Sequence, residues 1–106
     1  MNKLTIIGNL TKDPELRTTS AGVNACTFTV AVNRRKKSEG QPEADFFRVT
    51  AWRGLADVCQ QFLSKSSKVA VTGSVSVSPY IGKDGTPQAS MEVTADDVEF
   101  LSSANR

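Results

Sequence analysis

The chain has 106 residues, a formal net charge of +2, two cysteines and no histidine, which suits one compact domain over 1–106 and not two. Cys26 and Cys59 fit no metal-ligand spacing, so with histidine absent a structural zinc site is excluded, no cofactor is implied and the commonest general base is missing. Residues 1–53 hold nine Lys/Arg against five Asp/Glu and residues 54–106 hold four against six, a basic surplus in the first half that tilts toward a polyanionic partner.

Residues 3–11 read as a strand around Ile6, Ile7 and Leu10, with Gly8 as a bulge or point of close approach. Asp13-Pro14 marks a turn, a short strand around Leu16-Arg17-Thr18 follows, and Ser20-Ala21-Gly22 turns again. Residues 25–33 alternate cleanly: Phe28, Val30 and Val32 face one way, Thr27, Thr29, Ala31 and Asn33 the other, and Cys26 is in phase with the core side. Residues 34–44 are polar and charged, contain Gly40 and Pro42, and read as a loop. Residues 45–52 form the next strand.

From Leu55 the period changes. Leu55, Val58, Cys59, Phe62 and Leu63 fall at i, i+3, i+4, i+7 and i+8, the stripe of an amphipathic helix of about three turns, which Ser64 to Ser67 end. Residues 68–80 return to alternation, with Val69, Val71, Gly73, Val75 and Val77 against a second row that includes Ser74, Ser76, Ser78 and Tyr80. Gly82-Lys83-Asp84-Gly85 closes a hairpin. Residues 87–101 form the last strand, with Met91, Val93 and Ala95 inward, then Val98 and Phe100 after a phase slip at Asp96-Asp97. The expected class is therefore all-β: a five-stranded Greek-key barrel of the oligonucleotide/oligosaccharide-binding type, with one α-helix between the third and fourth strands. The binding face of such a barrel lies on its second and third strands and the adjoining loops.

The most informative segment is Phe46-Phe47-Arg48-Val49-Thr50-Ala51-Trp52. Successive strand side chains point to opposite faces, so Phe47, Val49 and Ala51 make ordinary core. The other face carries Phe46, Arg48, Thr50 and Trp52, which is poor core and a good surface for single-stranded nucleic acid, whose bases stack on aromatics while its phosphates seek cations. The competing reading is that Trp52 covers a subunit contact and Arg48 is a solvated charge. Tyr80 joins the set because it shares a strand face with a row of hydroxyls; periodicity alone allows an ordinary strand-end aromatic almost as well. Arg34-Arg35-Lys36-Lys37 is the one dense cation run. Such runs are usually solvated loops, but this one leads into the aromatic-bearing strand, where a basic arm could close over a bound strand. Arg17 and Lys3 are weaker candidates of the same kind. Gly82-Lys83-Asp84-Gly85 has neither the spacing nor the following helix of a phosphate loop, and Asp57, Asp96 and Asp97 lack flanking catalytic motifs. Met1-Asn2-Lys3-Leu4 lacks the regions of a secretory signal and no apolar run nears membrane-spanning length. A cytoplasmic protein with both thiols reduced and buried is expected.

The chain resembles the bacterial single-stranded-DNA-binding protein family over nearly its whole length. The resemblance rests on Gly8-Asn9-Leu10-Thr11-Lys12-Asp13-Pro14-Glu15-Leu16-Arg17, on Phe28 to Arg34, on Ala44 to Trp52 followed by Leu55-Ala56, on Val71-Thr72-Gly73-Ser74 and on Val98-Glu99-Phe100-Leu101. It implies a barrel that coats single-stranded DNA without sequence preference in replication, repair and recombination, near the nucleoid. It also implies a homo-oligomer, usually a tetramer, with a dimer open. The family's stacking aromatics match Phe46, Trp52 and Tyr80, and cations matching Lys3, Arg17 and Arg48 are expected backbone contacts. Three departures stand out. The family often has an aromatic where this chain has Arg35 and Lys36, so charge replaces stacking and binding should be more salt-sensitive. Ser76 and Ser78 stand where relatives often carry Arg. The usual Gly/Pro-rich tail with an acidic tip is not among these residues, so recruitment of partner proteins is not expected of them. Two other functions compete: a tail-less adaptor similar to primosomal replication protein N, acting mainly through protein contacts, and a small nuclease or deaminase, which the missing histidine and metal spacing argue against.

Overall fold

Each stretch of period-two alternation forms a strand, and the one stretch of helical spacing forms the helix. The computed structural model describes residues 1–34 and 44–101. Its elements are β1 (Leu4–Leu10), β2 (Glu15–Thr18), β3 (Asn24–Asn33), β4 (Ala44–Trp52), α1 (Gly54–Phe62), β5 (Lys68–Ile81) and β6 (Pro87–Phe100). Among the five long strands the helix falls between the third and the fourth, and the short strand around Leu16 to Thr18 is β2. Arg35, Lys36 and Lys37 lie outside the described residues.

The strand order is β1-β5-β6-β4-β3-β2, and β1 also pairs with β3, which closes β1, β5, β6, β4 and β3 into a barrel. All pairings are antiparallel except β4 with β6. β3 is long enough to serve three neighbours: β2 on residues 24–27, β1 on Val30 and Ala31, and β4 on residues 25–33. Gly8 is the close-approach point expected of it. A Cβ there would collide with the Ala31 carbonyl and come within 2.8 Å of Val30 Cγ1, so the β1–β3 closure depends on a bare backbone.

The inward side chains form one core of Ile6, Leu10, Cys26, Phe28, Val30, Val49, Ala51, Val69, Val71, Val93 and Val98 with the helix residues Ala56, Cys59 and the following Leu63; Phe47 packs against it, partly buried. The expected phase slip is a β-bulge. Pairing passes from Thr72 with Asp97 to Gly73 with Ala95, leaving Asp96 unmatched. The slip returns Val98 to the interior after two outward acids. A Cβ on Gly73 would strike the Thr94 carbonyl, so the strands are drawn together at the bulge. Phe100, expected inward, sits at the barrel's end and is exposed, 6.1 Å from the Phe62 ring.

The helix corrects one sequence expectation. Ala56, Cys59 and Leu63 are buried, whereas Val58 and Phe62 of the apolar stripe are exposed. Leu55 packs against the core partly buried, while Val58 and Phe62 lie on the outward side of the helix. The helix is tied in at its start: Arg53 N–H donates to the Asn24 carbonyl at 2.8 Å. Asn24 Nδ2 donates to Asp57 Oδ1 at 2.8 Å while its Oδ1 accepts from Thr18 Oγ1. Asp57 thus has a structural task in the first helical turn, where a negative charge is favoured. At the hairpin, Asp84 Oδ1 accepts from Thr86 N–H and Oγ1, which holds its carboxyl below the ordinary value. Among the described residues no helix is long and apolar enough to cross a membrane.

Candidate nucleic-acid interface

Directly paired strand residues share a face, and the registers assemble one continuous outer face from β5, β6, β4 and β3. On the β3–β4 pair it carries Ala31 with Phe46, Thr29 with Arg48, Thr27 with Thr50 and Ala25 with Trp52. The parallel seam adds Glu92 beside Arg48 and Thr94 beside Thr50. The β5–β6 pair adds Ser74 with Thr94, Ser76 with Glu92, Ser78 with Ser90 and Tyr80 with Gln88. The separation read from alternation in β4 therefore holds: Val49 and Ala51 are fully buried, Phe47 lies against the core, and Phe46, Arg48 and Trp52 are outside.

Phe46 is 57% exposed, Tyr80 52% and Trp52 42%. Apolar rings left this open contribute little to the fold and are available to flat ligands. Phe46, Tyr80, Arg34 and Arg48 line one surface groove of about 670 Å³, floored by Thr29, Gln88 and Ser90. This groove places Tyr80 beside Phe46 of β4, a neighbourhood that needs the β4–β6 seam and that periodicity alone does not determine. A second groove of about 250 Å³ meets the first at Thr29 and Arg48 and runs on to Lys12, Thr11 and Thr27.

Trp52 lies outside both grooves, six residues beyond Phe46, or about 20 Å along the strand. It is paired with Ala25, which β2 in turn pairs with Arg17. Arg17 and Ala25 line a third depression with Thr18 and Thr19. Arg17 is thus placed in line with Trp52 and not with Phe46. Lys3 precedes β1, is exposed, and lines none of these grooves.

The cations are not equivalent. Arg34 Nη2 donates to Asp45 Oδ1 at 2.7 Å. Arg48 Nε lies 4.0 Å from Glu92 Oε1, and its side chain is 55% exposed. Sequence reasoning missed Asp45, Glu92 and Lys12 as neighbours of the site. Alternation put Glu92 outward between Met91 and Val93, but its meeting with Arg48 depends on the parallel pairing of strands more than 40 residues apart. The two thiols are remote in kind from this face: both are buried and unpaired, and burial, with Cys26 alongside, pushes the Cys59 thiol up to about 12. Among the described residues no three His, Cys, Asp or Glu side chains are grouped so as to hold a metal ion.

A barrel with its helix between the third and fourth long strands, and an aromatic and cationic face across the central strands, is of the oligonucleotide/oligosaccharide-binding class. Residues 1–101 match the single-strand binding protein family, and the chain belongs to that family, one of binding proteins rather than enzymes. It is 46% identical over 104 residues to single-stranded DNA-binding protein 3 of Listeria innocua, a match covering 97% of this chain and 65% of that protein. It is 44% identical over 102 residues to single-stranded DNA-binding protein 2 of Clostridium acetobutylicum, covering 95% and 77%, and 40% identical over 107 residues to the single-stranded DNA-binding protein of Clostridium tetani, covering 100% and 74%. The chain therefore spans about two thirds to three quarters of these relatives' own length.

Proposed function

We propose that this protein binds single-stranded DNA without sequence preference and protects it during replication, recombination and repair in the cytoplasm. The observation that carries the proposal is the convergence of Phe46, Tyr80, Arg34 and Arg48 on one groove. Bases stack on Phe46, Tyr80 and, farther along the same face, Trp52. Phosphates are held by Arg34 and Arg48, by the run Arg35-Lys36-Lys37, and more weakly by Arg17 and Lys3. Stacking tolerates every base because each has a π-face, and the cation contacts read only the backbone, so the combination carries no sequence preference. The names of the relatives support the same ligand.

The protein acts as a homo-oligomer, a tetramer by family expectation. Ile7 supports association: it is a large exposed apolar side chain on the outer face of β1, between the outward Thr5 and Asn9. Titration with oligothymidine, followed by Trp52 fluorescence with light scattering in parallel, tests both statements. Quenching that weakens with salt, and a particle of four chains, is expected. Equal competition by duplex DNA refutes the single-strand reading. A dimer that barely binds oligothymidine favours the protein-adaptor function instead.

A further inference from the structure

Glu92 occupies an unexpected place. On the β5–β6 half of the outer face its companions are Ser74, Ser76, Ser78, Gln88, Ser90 and Thr94, all uncharged. Glu92 is the one charge on the stretch that runs from the Ser74–Thr94 pair to the Tyr80–Gln88 pair, Asp97 and Glu99 lying past the bulge beside Thr72 and Ala70, and it stands at the seam beside Arg48. Both of its oxygens have partners. Oε2 accepts from Ser90 Oγ at 2.6 Å, and Oε1 faces Arg48 Nε at 4.0 Å. Arg48 is the cation at which the two grooves meet. A phosphate approaching Arg48 therefore meets a carboxylate that the Ser90 hydroxyl holds in place and that cannot diffuse away as a solution anion does.

We propose that Glu92 is a tethered counter-ion that competes with DNA phosphate for Arg48 and so sets the affinity and salt sensitivity of single-strand binding. The inference rests on the single-stranded-DNA reading of this face. When a phosphate reaches Arg48 beside Glu92, one cation serves two anions. The net neutralisation of the DNA at that point is close to zero, and the counterion condensed on that phosphate is retained. Binding is weaker than the cation count implies, and its salt dependence is shallower. The exposed pair itself is weak, which suits exchange rather than a permanent lock. The same carboxylate repels phosphates from the β5–β6 side, so the backbone is kept toward β3 and the bases toward Tyr80 and Phe46.

The test uses the whole chain and an oligothymidine of about ten nucleotides, the order of one barrel's site size. Glu92→Gln keeps the shape and removes the charge. It is expected to bind more tightly at low salt and to steepen the log–log salt slope by about 0.7 per engaged protomer, so that a tenfold rise in salt erodes its advantage about fivefold. Glu92→Asp and Ser90→Ala each disturb the hydrogen bond but keep the charge, and both should retain the wild-type slope. Glu92→Ser, which copies the neighbouring positions, should behave as Glu92→Gln and covers the case in which the amide misfolds, with thermal melting as the check. A slope in Glu92→Gln and Glu92→Ser equal to that of the wild type overturns the inference, as does the same slope change in Glu92→Asp. Failure of the wild-type protein to bind oligothymidine at all refutes instead the functional reading beneath it.

Discussion

Phe46 and Phe47 are adjacent in sequence and opposite in consequence, which makes their alanine substitutions a sharp test. Phe46 is more than half exposed, and its removal opens onto solvent and leaves no void. Less than half of its surface is recovered from water on folding, so Phe46→Ala should cost about 1 kcal/mol, a fall in Tm of roughly 4–8 °C. Phe47 packs against Val49, Val30 and the rest of the core cluster, and its truncation adds a cavity to the transfer loss. Full burial of Phe places that loss at roughly 3–5 kcal/mol; its partial exposure argues for the lower end, about 3 kcal/mol and roughly 12–24 °C. For binding the order reverses. Phe46→Ala removes one stacking platform, about 1–3 kcal/mol, or roughly 5- to 150-fold in affinity for oligothymidine. Phe47→Ala, assayed well below its melting point, should bind almost as the wild type does. Melting curves and Trp52 quenching on the two variants decide the matter. Equal losses of Tm refute the assignment of faces, and wild-type affinity in Phe46→Ala refutes its role as a stacker.

Two further outcomes concern the fold. The folded Cys59 thiol is raised to about 12 by burial first and by Cys26 second, whereas the unfolded thiol ionises near 8.5. Above that value the unfolded chain binds fewer protons, so this thiol makes stability fall as pH rises, by up to about 1.4 kcal/mol per unit until pH nears 12. In urea denaturation the stability difference between wild type and Cys59→Ala should shift by about 2 kcal/mol in favour of the alanine between pH 8 and pH 10, and a constant difference contradicts the assignment. The glycines should divide by their surroundings. Gly73→Ala drives a Cβ into the Thr94 carbonyl and should cost about 2–3 kcal/mol. Gly54→Ala, at the helix start with nothing within 4 Å, should gain about 0.5–1 kcal/mol. Melting temperatures that move in the same direction for both undo this reading.

Much of the barrel is legible in the sequence because its elements have local signatures. Alternation at 25–33 and 68–80 declares strands, the change of period at Leu55 declares the helix, and the two successive acids Asp96 and Asp97 announce a slip of phase that becomes the bulge opposite Thr72 and Gly73. What failed was decided elsewhere in the chain. The apolar stripe of α1 cannot reveal which of its rows the barrel covers, and Val58 and Phe62 are left exposed. The face of Phe46 is readable from β4 alone, yet the meeting of Tyr80 with it, the pairing of Arg34 with Asp45 and the approach of Glu92 to Arg48 are products of long-range registers. Residue type alone does not say which aromatic Arg17 stands near; the β2–β3 and β3–β4 registers set it in line with Trp52.

The parallel seam has a mechanical consequence. β4 and β6 are joined in register by three pairs only, Arg48 with Glu92, Val49 with Val93 and Thr50 with Thr94, whereas β3 and β4 share nine. Of the two seams that flank β4 this is the shorter, so transient opening beside β4 should concentrate here rather than between β3 and β4. The groove of Phe46, Arg48 and Tyr80 straddles it. A strand lying there touches both banks of the cleft, so occupancy of the groove and integrity of the barrel reinforce each other through linkage. A DNA strand bound there as proposed would therefore stabilise the barrel at its β4–β6 seam.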